Sequence, residues 1–197
     1  WAFGDVRTKK IVITPQFDEA KHFFEGIARV KKNNKWAYIQ RNGKKMTPFN
    51  IDDGGDFKNG LTWVRKNRRY FLINSRGKQV YGFRKNIIPV SNLHEGLMIF
   101  KQNNLYGYMN KNGKIVIPAQ FTKAKNFSNG LAVVLLKYYS EKKYNKYYYK
   151  TSMLSYVNKK GQLILKPYIW GELYSFTKQG IAKVYNGEQN IYIMRNE

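Results

Sequence analysis

The sequence predicts an all-β fold, a tandem array of three-stranded antiparallel meanders of about 34 residues each. Three observations carry that expectation. A first glycine series, Gly26, Gly60, Gly96, Gly130 and Gly180, steps by 34, 36, 34 and 50 residues. A second, Gly43, Gly77, Gly113 and Gly161, steps by 34, 36 and 48, so the two keep pace with one large insertion in the fourth interval. Between these glycines lie short apolar stretches whose β-branched and aromatic content suits strands.

The elements follow in order. The first strand of each unit starts at the first glycine: GIARV, GLTWV, GLMIF, GLAVV and GIAKV. The second is aromatic: WAYI (36–39), YFLI (70–73), YGYM (106–109), LSYV (154–157) and IYI (191–193). Between second and third come RNGK, SRGK, KNGK and KKGQ, where a glycine with positive φ closes a tight hairpin. The third strand follows as KKMTP, KQVYG, KIVIP or QLILK, and a loop with an F…F..G spacing leads to the next unit. Whole blocks recur: TKKIVITPQF (8–17) returns as NGKIVIPAQF (112–121).

Alternation sets the faces. Ala28, Thr62, Met98, Ala132 and Ala182 share a side with Val30, Val64, Phe100, Val134 and Val184, the expected core. The positions between them hold Arg29, Trp63, Ile99, Val133 and Lys183, a face that tolerates charge and is expected to be exposed or lightly covered. One meander buries too little to stand alone, so units must pack on each other. An elongated array and a closed propeller-like ring both satisfy this.

The pattern W-A/G-Y-I-x-x-x-G-K-x-x-x-P-x-F…F-x-x-G-L-A-x-V, carried by WAYIQRNGKKMTP, YGYMNKNGKIVIPAQF and FSNGLAVV, resembles the WG-repeat (KWG) family of bacterial proteins. The resemblance spans residues 1–197 as a single domain of about five degenerate units. At the motif's position in the second strand only Tyr106-Gly107 keeps a clean aromatic-glycine pair, Trp36 is followed by Ala, and the third unit lacks PxF. The resemblance implies a non-catalytic interaction module, often in exported or cell-surface bacterial proteins. It does not imply a ligand.

Charge is the unusual quantity: 36 basic residues against 12 acidic, a net +24. Residues 1–98 carry 20 basic and 8 acidic, residues 99–197 carry 16 and 4, so the excess belongs to the folded body and should attract polyanions. No Cys appears, which removes disulfides, thiolate metal sites and Cys nucleophiles together. No apolar run approaches bilayer length. The chain opens on Trp1 within the repeat pattern, which favours a processed or excised piece.

Catalytic sets are sought in vain. His22 and His94 occupy different repeat positions and read as surface or satisfied loop residues, not zinc ligands. The cluster DDGGD (52–56) lacks the ligand order and closing Glu of a calcium loop and aligns as a degenerate inter-strand loop. No phosphate-binding glycine loop or nucleophile motif is present. The expectation is no enzyme, no cofactor, no metal and no small-molecule substrate.

The insertion KYYSEKKYNKYYYK (137–150) replaces the first turn of its unit and should project as an extended hairpin. Its Lys137, Tyr138, Tyr139, Lys142, Lys143, Tyr144, Lys146, Tyr147, Tyr148 and Lys150 could stack on bases or sugars and meet anions, or pack on a neighbouring unit or subunit. Elsewhere the cations gather at the two turns of each meander. Lys31, Lys32, Lys35, Arg65, Lys66, Arg68, Arg69 and Lys101 surround the first turns; Arg41, Lys44, Lys45, Arg76, Lys78, Lys111, Lys114, Lys159 and Lys160 surround the second. Solvated turns are the plain reading, and two basic ridges the functional one. Trp36 reads as packing, whereas Trp63, placed where its counterparts are Arg29 and Lys183, is expected to be exposed beside Arg65, Arg68 and Arg69.

These features favour a non-enzymatic binding or scaffold module for an anionic partner: an acidic protein, a cell-surface polymer or nucleic acid. Specific nucleic-acid or ribonucleoprotein binding with the arm as clamp, and self-assembly or docking within a bacterial surface protein, remain open alternatives.

Overall fold

The local chemistry of the turns accounts for the elements seen in the computed structural model. It describes residues 1–136 and 154–164 in full, and the backbone of 143–144, 147–148, 153, 172–173, 181–185 and 190–194. All regular structure among these residues is strand, and contacts divide the chain into two compact units, Trp1–Leu93 and His94–Glu197. The first holds β1 (Phe3–Gly4), β2 (Ile11–Ile13), β3 (Glu19–Ala20), β4 (Ile27–Lys32) and β5 (Lys35–Gln40). It continues with β6 (Asp53–Gly54), β7 (Leu61–Lys66), β8 (Arg69–Asn74), β9 (Gln79–Gly82) and β10 (Ile88–Pro89). The second holds β11 (Leu97–Gln102), β12 (Leu105–Asn110), β13 (Ile115–Ala124), β14 (Leu131–Leu136) and β15 (Lys143–Tyr144). It ends with β16 (Tyr147–Tyr148), β17 (Met153–Asn158), β18 (Glu172–Leu173), β19 (Ile181–Tyr185) and β20 (Asn190–Met194).

The sheets are antiparallel and open. Their orders are β3-β4-β5, β6-β7-β8-β9, a run β11-β12-β13-β14-β17, and β18-β19-β20. The central strands of each copy pair as expected, Ala28 with Ile39, Thr62 with Ile73, Met98 with Met109 and Ala132 with Val157. The linking loop is more ordered than the sequence suggested, because a short strand precedes each turn. Asp53–Gly54, in the cluster read as a loop, pairs with Arg65 and Val64.

The first glycine series turns out to close hairpins. Phe24 and Ile27 exchange two backbone hydrogen bonds of 2.9 Å around Glu25-Gly26, both at positive φ (50° and 79°). Asn59-Gly60, Glu95-Gly96 and Asn129-Gly130 repeat the geometry, that of a two-residue type I′ turn. The loops Asn33-Asn34, Asn67-Arg68 and Asn103-Asn104 between the two long strands use the same left-handed pair. Where the fourth copy should have such a loop, residues 137–152 lie between the paired Leu136 and Met153.

The expected core face is buried throughout the described copies, from Ala28 and Val30 to Ala132 and Val134. The opposite face departs from expectation. Ile99 and Val133 are only 5% and 6% exposed, so in those copies both faces of the strand are covered. Two clusters organise the first unit: Trp36, Tyr38, Phe57, Val64 and Ile73 with their neighbours, and Ile13, Phe17, Val30 and Ile39 with theirs. Tyr108, Ile117, Phe121 and Phe127 centre the core of the second. Trp36 is packing, as read: its ring is buried and faced by Arg29, Lys21 and Lys31 at 4.7, 5.8 and 5.5 Å.

Two polar ties recur. The Tyr38 hydroxyl donates to Gly55 O at 2.6 Å, and the Tyr108 hydroxyl to Lys125 O at 2.7 Å, seventeen residues on in both cases. Each ring also meets a phenylalanine edge-on, Phe57 at 5.2 Å and Phe127 at 4.8 Å. A second tie uses carboxylates. Glu25 accepts the Asn59 and Gly60 N–H groups at 2.6 and 2.8 Å, and Glu95 accepts that of Gly130 at 2.9 Å. Partial burial opposes ionisation of Glu95, yet the Lys159 ammonium and the turn N–H groups outweigh it and hold the carboxyl below its usual range.

Close approach explains the glycine of the aromatic pair. A Cβ on Gly107 would lie 2.5 Å from Ile117 O, 2.8 Å from Ala119 N and 2.8 Å from the ring of Phe100, its cross-strand partner. In the first copy the partner of Val30 is Ala37, and the smaller valine leaves room. Gly107→Ala should therefore cost about 1–3 kcal/mol in urea unfolding; a wild-type midpoint would contradict this packing. Glu95→Ala should lose about 1 kcal/mol at neutral pH. Because the folded pKa of Glu95 is depressed, that difference is full above about pH 4.3 and fades as pH falls through the folded value. A loss that does not change with pH would show that shape, not charge, is at work.

Candidate functional site

The second hairpin concentrates unneutralised charge. Lys66 and Arg69 stand directly opposite each other across the Asn67-Arg68 turn, where Arg68 takes a φ of 62° that an asparagine holds in the neighbouring copies. Asp52 secures the turn. Its carboxylate bonds the Lys35 ammonium at 2.5 Å and also receives the N–H groups of Asn67 and Arg68, all of which hold it below the ordinary aspartate range.

The repeat register shows why charge remains here. In the first copy Lys31 is paired with Glu19 at 3.8 Å and Lys35 with Asp52. The residue one copy on from Asp52, counted from Gly60 and Gly96, is Ile88, an exposed apolar side chain. Arg69, the counterpart of Lys35, thus has no matching acid. Other carboxylates are already committed: Asp18 to the Asn33 N–H, Asp53 to Arg29 at 3.3 Å, Glu95 to Lys159 at 3.0 Å. Among the described residues, Lys66, Arg68, Arg69, Arg84 and Lys85 form no ion pair.

Two clefts flank Arg69. One, of about 540 Å³, is bordered by Arg68, Arg69, Arg84 and Lys85 with Tyr70, Phe71 and Phe83 as aromatic walls, and no carboxylate lines it. The other, of about 610 Å³, runs from Lys66 and Arg69 along Val64, Phe71 and Ile73. In the first, four exposed cations surround a partly apolar wall, and the Asp52 carboxylate behind the turn is taken up by Lys35 and the turn N–H groups.

Of the residues singled out from sequence, Arg68 and Arg69 come together in this cleft, while Trp63 and Arg65 do not line it. Trp63 is half-buried, not the exposed residue expected, because the strand face it occupies is covered; its ring lies 6.0 Å from that of Tyr70. Arg65 is half-buried as well, opposite Tyr70 and Asp53, with its Nε enclosed and without a hydrogen bond. Arg84 and Lys85 escaped notice. Their signal was the 36-residue interval, two longer than its neighbours, in the stretch that lacks PxF.

In the arm, Lys143 pairs with Tyr148 and Tyr144 with Tyr147 along the backbone of β15 and β16. Lys137, Tyr138, Tyr139, Lys142, Lys146 and Lys150 lie outside the described residues. Among the described residues no three potential ligands gather to hold a metal ion, and Asp52 and Asp53 instead face Lys35 and Arg29.

Comparison with known proteins agrees with the architecture. Among solved structures the chain is similar to a eukaryotic initiation factor, with a TM-score of 0.55 and 12% identity, over 97% of this chain and 58% of that one. It is also similar to Hsv2p of Kluyveromyces lactis (TM-score 0.46, 9% identity, 86% and 56% covered) and to a protein of unknown function from Bacteroides caccae (0.37, 17%, 81% and 65%). At 12% identity the likeness to the initiation factor concerns fold alone. The chain spans little more than half the length of that protein. Comparison with curated proteins finds no match. The family described as "WG containing repeat" matches residues 7–36, 36–70, 106–139 and 155–188. The copy passed over is the one where Leu72 stands for the tyrosine and Leu93 for the phenylalanine of the recurring tie. With more than half its length matched, the chain belongs to the WG-repeat family.

Proposed function

We propose that this repeat domain is a non-enzymatic binding module that holds an anionic macromolecule at the cleft of Arg68, Arg69, Arg84 and Lys85. One observation carries the reading: four exposed cations converge on a single cleft without a carboxylate among its walls. The excess charge of the whole chain supports it, since a field of that sign raises the local concentration of polyanions and speeds their encounter. The family gives a repeat scaffold as context, and the site chemistry gives the sign of the partner.

Nucleic acid is the form of this partner that the half-buried Tyr70 favours, because its ring borders the cleft beside the cations and part of it is open to stacking. The antiparallel pairing within residues 143–148 supports an arm that could clamp such a strand.

Titration of heparin, DNA and RNA against salt tests the proposal. Binding should weaken steeply as salt rises. Arg84→Gln with Lys85→Gln should weaken it about tenfold, and for DNA should lower the salt slope by about one for each phosphate no longer neutralised. The control Lys44→Gln with Lys45→Gln, which removes equal charge from a different turn, should do much less. Negligible binding at low salt, or equal losses from both pairs, would overturn the assignment.

A further inference from the structure

We propose that the second cleft, between β7–β8 and the segment 47–51, is a separate site for a small amphiphilic carboxylate. This goes beyond polyanion binding: the two clefts share Asn67, Arg69 and Phe71, and the remaining walls differ.

The cleft is graded along its length. Lys66 and Arg69 stand at one end, Ile51, Val64, Phe71 and Ile73 line the middle, and Thr47 and Gln79 border it further along. Its volume of about 610 Å³ falls within the range of small-ligand sites, and its walls are polar and apolar in about equal share. Phe71 contributes because this copy breaks the rule of the others. Ala37, Gly107 and Ser155 fill the equivalent position, and here the large ring faces Gly82 on the next strand instead.

The cationic end supplies the reason for an anion. Like charges directly opposite on paired strands repel. Lys32 and Lys35 form the same kind of pair in the first copy, where Asp52 neutralises Lys35. Lys66 and Arg69 form no ion pair among the described residues, because the nearby Asp52 carboxylate is engaged by Lys35 and by the N–H groups of the turn. A ligand carboxylate between them would replace repulsion with two charge-assisted contacts, and its apolar body would lie against the half-buried Phe71 ring. No bond is made or broken in this binding.

Calorimetric titration with decanoate tests the site, with decanol and decyltrimethylammonium as neutral and cationic counterparts. Decanoate should bind at concentrations up to about 1 mM, and the cationic counterpart should not. Lys66→Gln with Arg69→Gln should weaken decanoate about tenfold while leaving decanol unchanged. Asn50→Trp and Gln79→Trp place bulk at the cleft from half-buried and exposed positions, outside the packed core. Either should abolish decanoate binding while heparin binding persists, which separates this site from the polyanion cleft. No decanoate binding, equal binding of the cationic counterpart, or wild-type affinity in both tryptophan variants would overturn the proposal.

Discussion

The buried tyrosine hydroxyl is the constraint on which the rest depends. Tyr38 and Tyr108 each reach a backbone carbonyl seventeen residues ahead, Gly55 O and Lys125 O, so the aromatic strand of one copy fixes the start of the next. Burial pushes both phenols well above their usual range, so the hydroxyl remains a donor across all ordinary conditions. The geometry dictates small residues nearby. A Cβ on Gly54 would lie 2.4 Å from the Tyr38 hydroxyl, which accounts for the paired glycines of DDGGD better than any metal-binding role. Around this tie, hydrophobic burial and cross-strand pairing supply the bulk of stability.

The same economy governs the acids. Glu25 and Glu95 hold the next copy's turn, Asp18 and Asp52 hold the turns between long strands, and Asp53 meets Arg29. Carboxylates thus serve the scaffold, and cations without partners remain for the surface. The net charge of +24 is set by 36 basic residues against 12 acidic, and that division decides where on the described surface the excess stays unpaired. The proposed sites lie where a copy fails to repeat: Ile88 replaces an acid, two residues are added near Arg84 and Lys85, and Phe71 replaces a small residue.

Much of this was legible in the residues. The glycine series gave the copies, and alternation gave the buried face from Ala28 to Val134, because turn chemistry and strand period are local properties. The Asn-Gly pairs at 59–60 and 129–130 were equally plain turn signals, but reading each glycine as the start of a strand concealed them. Trp63 was misjudged because its exposure depends on what covers the second face of the sheet, which no single strand records. Arg84 and Lys85 were invisible for a related reason: pairing brings them beside Arg68 and Arg69 across some fifteen residues of chain, and spacing alone does not reveal that cleft.

The central claim is that the repeats are scaffold and that one irregular copy carries the anion site. Backbone amide shifts recorded during a heparin titration address it most directly. The account predicts changes concentrated at residues 67–71 and 83–85, with the regular turns at Asn33-Asn34 and Asn103-Asn104 little affected. Equal changes at all three turns would contradict it, since anions would then be held by diffuse charge and not by this cleft.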